Sequence, residues 1–215
     1  MKNSSKAAKK EIVTAFRTRE ILGAARQIIE QRGVEAVTMD EIASAAGVAK
    51  GTLYLYFEGK EDLVQALMAQ VGEDILDDVQ RVAQTAELPE EKLRRVIALL
   101  LGHMERERVL FPIYVRDLMR WGKHGKGRWR HLWDLDEQVT GLITQIFAEG
   151  MAAGRFIAAD PRLLAFLFRG MIRAVGFFQM VEGQHDVVNE ALPILNKLLA
   201  SGLAPQSDAT EVTAP

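Results

Sequence analysis

Apolar residues in this chain recur with the period of an α-helix, and nowhere do they alternate with polar residues as a half-buried strand requires. One predicted helical face carries Ile21, Ala25 and Ile29, and Gly33 follows as a helix stop. The chain has 215 residues and 48% hydrophobic composition, so it can bury a core without disulfide bonds, and it contains no cysteine. We therefore predict an all-α protein with neither disulfide bonds nor thiolate metal ligands.

Prolines and glycines divide the helical pattern into segments. Asp160 followed by Pro161 is an N-cap with proline in the first turn, and it predicts an apolar helix to about residue 182. Pro112 is expected to break or kink the helical pattern. Residues 122–127 are rich in glycine and lysine, but they lack the Lys-Ser/Thr ending and the preceding strand of a phosphate-binding loop. We interpret this segment as a solvated loop between helices.

Residues 38–57 predict two short helices joined by a tight turn. Thr38 and Glu41 have the spacing of a capping box, in which each residue hydrogen-bonds the backbone N–H of the other. The helix that this box opens is expected to end at Gly47, and a second short helix is expected from about Lys50 to Phe57. Two short helices around a glycine-containing turn form a helix-turn-helix.

The second short helix has polar groups where simple packing would not need them. Lys50, Thr52 and Tyr54 lie in its first turns, which is where a recognition helix meets base edges in the major groove. Spacing alone leaves an alternative, namely a small packed helical hairpin with surface lysine and tyrosine. The pattern predicts DNA binding without settling it.

The formal charge is uneven along the chain. The whole chain has a net charge of -2, whereas residues 1–32 hold eight Lys/Arg against three Asp/Glu, a local net of +5. A positive end on an acidic protein suggests a contact with an anion. A solvated, disordered start explains the same residues equally well.

Residues 17–63 resemble the N-terminal domain of the TetR family of transcriptional regulators. The resemblance rests on the runs 38–43, 46–48, 51–54, 56–57 and 60–63, in which many residue types fall at the family's offsets. It implies that Thr38 and Lys60, both at helix starts, bind phosphate and that Tyr56 reaches the DNA backbone. It also implies that four residues face the major groove, namely Lys50, Gly51, Thr52 and Tyr54.

The resemblance also implies the domain organisation. We expect a basic, disordered arm at 1–16, a helix-turn-helix DNA-binding domain at 17–63, a larger helical effector-binding and dimerisation domain at 64–203, and a disordered tail at 204–215. The resemblance implies a homodimer built from the last two helices of each chain, and two-fold symmetry would then predict a palindromic site in double-stranded DNA. The segment 163–178 supports a dimer modestly, because it is apolar nearly all round and needs covering.

A small-molecule effector is the second expected partner. Pockets of this kind are mostly apolar with a few polar groups. The candidate lining residues are Met104, Phe111, Tyr114, Trp121, Trp133, Phe168, Arg169, Arg173 and Phe177. The aromatic and methionine side chains could instead be plain core, and the arginines could form salt bridges to acids such as Glu149 instead of binding an anionic ligand.

These features predict a cytoplasmic regulator, and specifically a repressor that a small molecule releases from DNA. The alternative is a DNA-bound structural or cell-division factor of the same fold with a protein partner. No nucleophile–base spacing, metal set or cofactor motif supports an enzyme. The first 20 residues lack the apolar stretch of a secretion signal, and the run 163–178 is expected to be too short and too charged to span a membrane.

Overall fold

The structure is a computed structural model that describes the backbone of residues 2–183 and 186–203 and the side chains of residues 13–120, 123–183 and 186–203. These residues form nine α-helices, one 3-10 turn and no strand, which confirms the all-α prediction. The helices are α1 (Lys2–Arg32), α2 (Met39–Ala45), α3 (Lys50–Leu53), α4 (Lys60–Ala83), α5 (Pro89–Arg106), α6 (Phe111–Trp121), α7 (Arg128–Ala152), α8 (Pro161–Glu182) and α9 (Val187–Leu203), and the 3-10 turn is Gly122–His124.

The N-terminal segment is helical from residue 2, where a disordered arm was expected at 1–16. Helix α1 runs without interruption from Lys2 to Arg32. Lysine, alanine and glutamate are favourable in helices, and neither proline nor glycine occurs between Lys2 and Leu22, so nothing in this segment stops the helix. The predicted tail at 204–215 lies outside the described residues.

Helix α6 is the second departure from expectation, because Pro112 does not break a helix. It occupies the first turn of α6, where the backbone N–H that proline lacks would have no partner in any case. Asp160 and Pro161 play the expected parts at the start of α8. The Asp160 carboxylate accepts hydrogen bonds from the backbone N–H groups of Arg162 at 2.8 Å and Leu163 at 3.3 Å.

The chain forms two compact units that do not coincide with the predicted division at residue 63. Unit 1 comprises residues 1–71 and 109–132, and unit 2 comprises residues 72–108 and 133–215. Residues 109–132 join unit 1 because Leu110, Trp129 and Leu132 belong to the buried cluster that also contains Ile42 and Leu53. Helix α6 and the start of α7 therefore pack with the first four helices instead of with the larger domain.

Each unit has its own core. In unit 1, Ile42, Leu53 and Phe57 are at most 1% exposed and anchor the short helices. In unit 2, α5 packs against α8 and α9. Phe147 on α7 meets Phe168 on α8 edge to face, with ring centroids 5.8 Å apart.

Helix α8 leaves much of its apolar surface uncovered. Its length of 22 residues, and a mean hydropathy of 1.4 over an 18-residue window, meet the length and composition criteria for a membrane-spanning helix. The core helix of a protein outside membranes passes the same test. Ala165, Phe168 and Ile172 are buried within unit 2, whereas several large apolar residues on the same helix are about half exposed. Those residues are Leu163, Phe166, Leu167, Phe177, Phe178, Met180 and Val181.

Candidate nucleic-acid interface

The predicted capping box opens α2. The backbone N–H of Glu41 donates to Oγ1 of Thr38 at 3.3 Å, and the backbone N–H of Thr38 donates to Oε2 of Glu41 at 2.8 Å. The Thr38 hydroxyl also donates to that carboxylate oxygen, at 2.8 Å. A phosphate at this helix start would therefore compete with Glu41 for the hydroxyl proton.

Arg32 at the end of α1 fixes the same glutamate. Its guanidinium donates to Oε1 of Glu41 at 2.7 Å and to the carbonyl oxygen of Ala36 at 3.1 Å. The hydrogen bond from Arg32, and then those from Thr38, lower the pKa of Glu41 from 4.5 to about 2. The start of α2 is thus tied to the end of α1 by a carboxylate that stays ionised well below neutral pH.

Gly47 makes the turn between the two short helices. Its φ of +64° lies in the left-handed region, which residues with a Cβ rarely adopt. The turn is closed by a hydrogen bond of 3.0 Å from the backbone N–H of Val48 to the carbonyl oxygen of Ala43. Ile42, Ala43 and Leu53 pack in the core beneath, so the second short helix is held by its apolar side chain Leu53.

The second short helix is shorter than predicted. Helix α3 ends at Leu53, and residues 54–56 continue as a turn instead of a helix running to Phe57. The backbone N–H groups of Leu55 and Tyr56 donate to the carbonyl oxygens three residues earlier, at 3.1 and 3.0 Å, which is the tighter 3-10 pattern. Ala49, at the N-cap of α3, provides no side-chain hydrogen bond, so this short helix depends on Leu53 and Phe57 as buried anchors.

Lys50 has a partner that the sequence analysis did not identify. Its ammonium lies 2.7 Å from Oδ1 and 3.0 Å from Oδ2 of Asp40 on α2, and both side chains are about 60% exposed. This carboxylate raises the pKa of Lys50. The pair holds the lysine over the exposed side of the helix-turn-helix, where DNA acceptors would compete with Asp40 for the ammonium.

The remaining predicted major-groove residues form an open surface around α3. Tyr54 is 46% exposed, Gly51 is exposed and Thr52 is partly buried. A Cβ added at Gly51 would meet no atom within 4 Å, so the protein leaves free space at that backbone position. Tyr56 is partly buried and packs against the core of unit 1.

Lys60 at the start of α4 reaches back to the loop between α1 and α2. Its ammonium donates to the carbonyl oxygens of Val34 at 3.1 Å and Glu35 at 3.3 Å. An ammonium has three N–H donors, so these bonds leave capacity for a phosphate. The residue therefore has a structural role beside the predicted one.

Arg128 is a further residue at this surface that the sequence analysis did not identify. Its Nε donates to Oδ1 of Asp62 at 2.5 Å, and its Nη2 donates to the carbonyl oxygen of Tyr56 at 3.3 Å. The guanidinium carbon lies 5.5 Å from the ring centroid of Phe57, at the distance of a cation–π contact. No local signal could have found these contacts, because they join residues 66 or more positions apart.

The predicted effector-binding residues are divided between the two units. Phe111 and Tyr114 lie in unit 1 with ring centroids 6.5 Å apart, and the side chain of Trp121 lies outside the described residues. The others lie in unit 2, where Met104 and Phe168 are buried and Trp133 is partly buried. Phe177 is 54% exposed on α8. Their role in binding an effector stays a prediction.

Both predicted arginines of α8 are paired with Asp136 on α7. Arg169 is 9% exposed and donates to the Asp136 carboxylate, to the Asp136 carbonyl oxygen at 2.8 Å, and to the Thr140 hydroxyl at 2.5 Å. Arg173 donates to both Asp136 carboxylate oxygens at 3.0 Å. The salt-bridge interpretation of these arginines is therefore confirmed, with Asp136 as the acid instead of Glu149, which pairs with the buried Lys92 at 2.9 Å.

His103, which is buried on α5, has an ordinary structural partner. Its Nε2 lies 2.8 Å from Oδ2 of Asp78 on α4. Within the described residues, no group of three or more histidine, cysteine, aspartate or glutamate side chains has an arrangement that could hold a metal ion.

The geometry of residues 38–57 defines a class of protein, the helix-turn-helix regulators, and comparisons with known proteins agree with it. Residues 21–67 match the family described as bacterial regulatory proteins, tetR family, and residues 86–177 match the tetracyclin repressor-like C-terminal domain. The chain is 33% identical over 189 residues to the fatty acid metabolism regulator protein of Bacillus subtilis, which covers 86% of this chain and 94% of that protein. It is 29% identical to the transcriptional repressor KstR2 of Mycolicibacterium smegmatis over 106 residues, 49% of this chain and 52% of that one.

Solved structures show the same fold. The regulator FadR from Bacillus subtilis, in complex with stearoyl-CoA, has a TM-score of 0.66 at 23% identity, covering 86% of this chain and 98% of that one. AibR, in complex with isovaleryl coenzyme A and operator DNA, has a TM-score of 0.61 at 22% identity, covering 83% of this chain and 97% of that one. The chain belongs to the TetR family, and it is a DNA-binding transcriptional regulator with the family's two-part helical organisation.

Proposed function

We propose that this protein is a cytoplasmic, homodimeric repressor that binds a palindromic operator and is released from it by an acyl-CoA. The observation that carries the proposal is the surface around α3. There, Lys50 and Tyr54 are exposed directly beside side chains that are almost completely buried, Leu53 and Phe57. A rigid anchor beneath exposed donors is what reading base edges requires.

The dimer is proposed from the exposed seam of α8. The seam consists of exposed residues that follow one another in alternating steps of four and three, the spacing of two packed helices. They are Leu163, Leu167, Gly170, Ala174, Phe177 and Val181. Small residues in the middle of such a seam let two helices approach closely, and the exposed Ile194 and Leu198 of α9 extend the apolar surface of unit 2. This assigns Phe177 to the dimer interface in preference to an effector pocket.

The effector class is proposed from the relatives. A regulator named for fatty acid metabolism aligns with most of the chain, and two structures of the same fold contain acyl-CoA molecules. Release requires a difference in acyl-CoA affinity between two dimer geometries. The acyl-CoA must bind more tightly to the geometry that does not fit the operator than to the one that does, because equal affinity for both shifts nothing. The cytoplasm is the compartment where such a regulator meets bacterial DNA and metabolic thioesters.

Selection of binding sites from random duplex DNA tests the reading surface. The wild type is expected to enrich a palindrome, and the variant Lys50→Ala/Tyr54→Ala is expected to enrich none while keeping its thermal stability. Enrichment of the same palindrome by both proteins would show that α3 does not read bases. No enrichment by the wild type would overturn the operator itself.

Release is then measured on the selected operator. Palmitoyl-CoA below its micelle concentration and isovaleryl-CoA are compared with coenzyme A and with free palmitate. We expect at least one thioester to weaken operator binding tenfold or more, which corresponds to roughly 1.4 kcal/mol of coupling. Equal binding in all four conditions would overturn the acyl-CoA assignment but not the DNA-binding function.

A further inference from the structure

The positive charge of unit 1 does not come from its helix-turn-helix. Residues 1–71 hold ten Lys/Arg against nine Asp/Glu, a net of +1. Residues 109–132 hold six Lys/Arg and only Asp117, a net of +5. Unit 1 as a whole has a net charge of +6 and unit 2 a net charge of -8, which together account for the chain's -2. Affinity for DNA comes largely from neutralised phosphates, so the source of this charge matters for binding.

Five of the six cations in residues 109–132 lie in one short exposed stretch, which we call the basic loop (residues 120–130). Arg120, Lys123, Lys126, Arg128 and Arg130 are all exposed, and no acid occurs between Asp117 and Asp134. Asp117 is 1% exposed, so its charge is not at the surface. The basic loop is therefore the most concentrated positive surface among the described side chains of unit 1.

The basic loop lies beside the base-reading surface. Lys126, Gly127 and Arg128 line the same open groove, of about 770 Å³, as Tyr54 and Leu55. The hydrogen bond from Arg128 to the carbonyl oxygen of Tyr56 and its ion pair with Asp62 connect the loop directly to the turn that follows α3. Glu58, Glu61 and Asp62 line the groove as well, so phosphates are expected at the exposed ammonium groups of the loop and not against these carboxylates.

The loop is also held in one shape. Trp129, immediately after Arg128, is 2% exposed and packs in the core of unit 1. A Cβ on Gly125 would lie 1.6 Å from Cδ1 of Trp129, so the backbone at this position approaches the indole more closely than any other residue would allow. A loop fixed in this way loses little conformational entropy when it binds.

We infer that the basic loop is a second DNA-contacting element, in which Lys123 and Lys126 bind backbone phosphates that flank the bases read from α3. The inference rests on the proposed function, and it adds a contact from the segment between α6 and α7. The partner is double-stranded DNA, because the loop's charge is complementary to phosphate and because the loop is continuous with the reading surface. Such contacts fix the register of the protein on the duplex without reading sequence.

The test is the salt dependence of binding to the selected operator and to a random duplex of the same length. Each lost phosphate contact lowers the slope of log K against log salt by about 0.9. For Lys123→Gln/Lys126→Gln, which removes two lysines from each protomer, we expect the slope to fall by about 2 to 4 and affinity to fall about tenfold at 0.1 M salt. The ratio of operator to random affinity should change less than threefold.

The matched control is Arg106→Gln/Arg108→Gln, which removes the same charge from exposed residues of unit 2. An equal change of slope in both variants would mean that net charge acts at a distance, and it would overturn the contact. An unchanged slope in the loop variant would also overturn it. The two proposals fail in different ways. If the wild type prefers the operator and the loop variant has the same affinity and salt slope as the wild type, the contact by the basic loop is refuted and the proposed function stands. A wild type without any preference refutes both.

Discussion

The two units of this protein expose opposite kinds of surface. Unit 1 has a net charge of +6 and presents polar side chains, such as Lys50 and Tyr54, beside fully buried anchors. Unit 2 has a net charge of -8 and exposes large apolar side chains of α8, such as Phe166 and Leu167. We therefore expect the two units to bind different partners. Under the proposed function, phosphate and base edges cover the first surface and the α8 seam of a second copy covers the other.

The largest expected effect comes from blocking the apolar surface of unit 2. Gly170 is exposed in the middle of the α8 seam, and a Cβ there would meet no atom within 4 Å of this chain. Gly170→Gln should therefore fold at least as well as the wild type, since glutamine is the better helix former, but it should obstruct a second α8. Without the dimer, the two half-sites no longer bind together, and we expect operator affinity to fall by about 100-fold or more.

Sedimentation and operator titration measure this outcome. Gly141→Gln on α7 is the control, because it is the same change at another glycine of unit 2 whose added Cβ meets nothing within 4 Å. A Gly170→Gln protein that remains a dimer with wild-type affinity would show that the α8 seam is not the interface.

A smaller effect is expected from the contact that fixes the reading surface of unit 1. Arg128→Ala removes the ion pair with Asp62, the hydrogen bond to Tyr56 and the contact with the Phe57 ring, so the turn after α3 is less firmly held. We expect operator affinity to fall about tenfold, as the loss of a charged hydrogen bond and a cation–π contact suggests. Arg128→Lys retains the charge but not the planar fork, and it should restore affinity for random DNA more than affinity for the operator. If Arg128→Lys recovered affinity equally on the operator and on random DNA, Arg128 would act only through its charge, as a simple phosphate contact.

The smallest effect concerns acid stability of the helix-turn-helix. Because the folded-state pKa of Glu41 is about 2, below its ordinary 4.5, its stabilising contribution is present above pH 4.5 and is lost as the pH falls towards 2. Thermal melting of the wild type and of Glu41→Gln from pH 7 to pH 3 measures this contribution. The wild type should melt higher at neutral pH, and the difference should narrow below about pH 4.5. A constant difference across this range would mean that the ionised carboxylate contributes nothing specific.

The same contrast explains what could be predicted from the sequence. The helix-turn-helix depends on neighbours close in the chain, namely the Thr38–Glu41 box, the turn at Gly47 and the anchor Leu53, so its pattern is visible in sequence. The start of α8 at Asp160 and Pro161 is equally local. Helix α6 was missed because Pro112 has two meanings, a helix break in the interior and a favourable residue in the first turn, and only its place in the helix distinguishes them.

The rest of the surface depends on contacts between distant residues. Asp40 pairs with Lys50 across the turn, and Arg128 contacts Asp62 from 66 positions away; neither spacing is a known signal. Periodicity showed that α8 is apolar, but it could not separate the buried Phe168 from the exposed Phe177, because that depends on which helices cover each face. The sequence likewise pointed to the basic N-terminus, whereas residues 122–127, within the equally charged segment 109–132, were interpreted as a solvated loop.

Hydroxyl-radical footprinting of the complex on the selected operator is the most direct test of whether unit 1 binds DNA and unit 2 forms the dimer. We predict protection with two-fold symmetry, in which each of two half-sites is flanked by a protected stretch of DNA backbone that disappears in Lys123→Gln/Lys126→Gln. The half-site protections should persist in that variant and collapse to a single weak half-site in Gly170→Gln. A single asymmetric footprint of the wild type would contradict a symmetric dimer that reads DNA through unit 1.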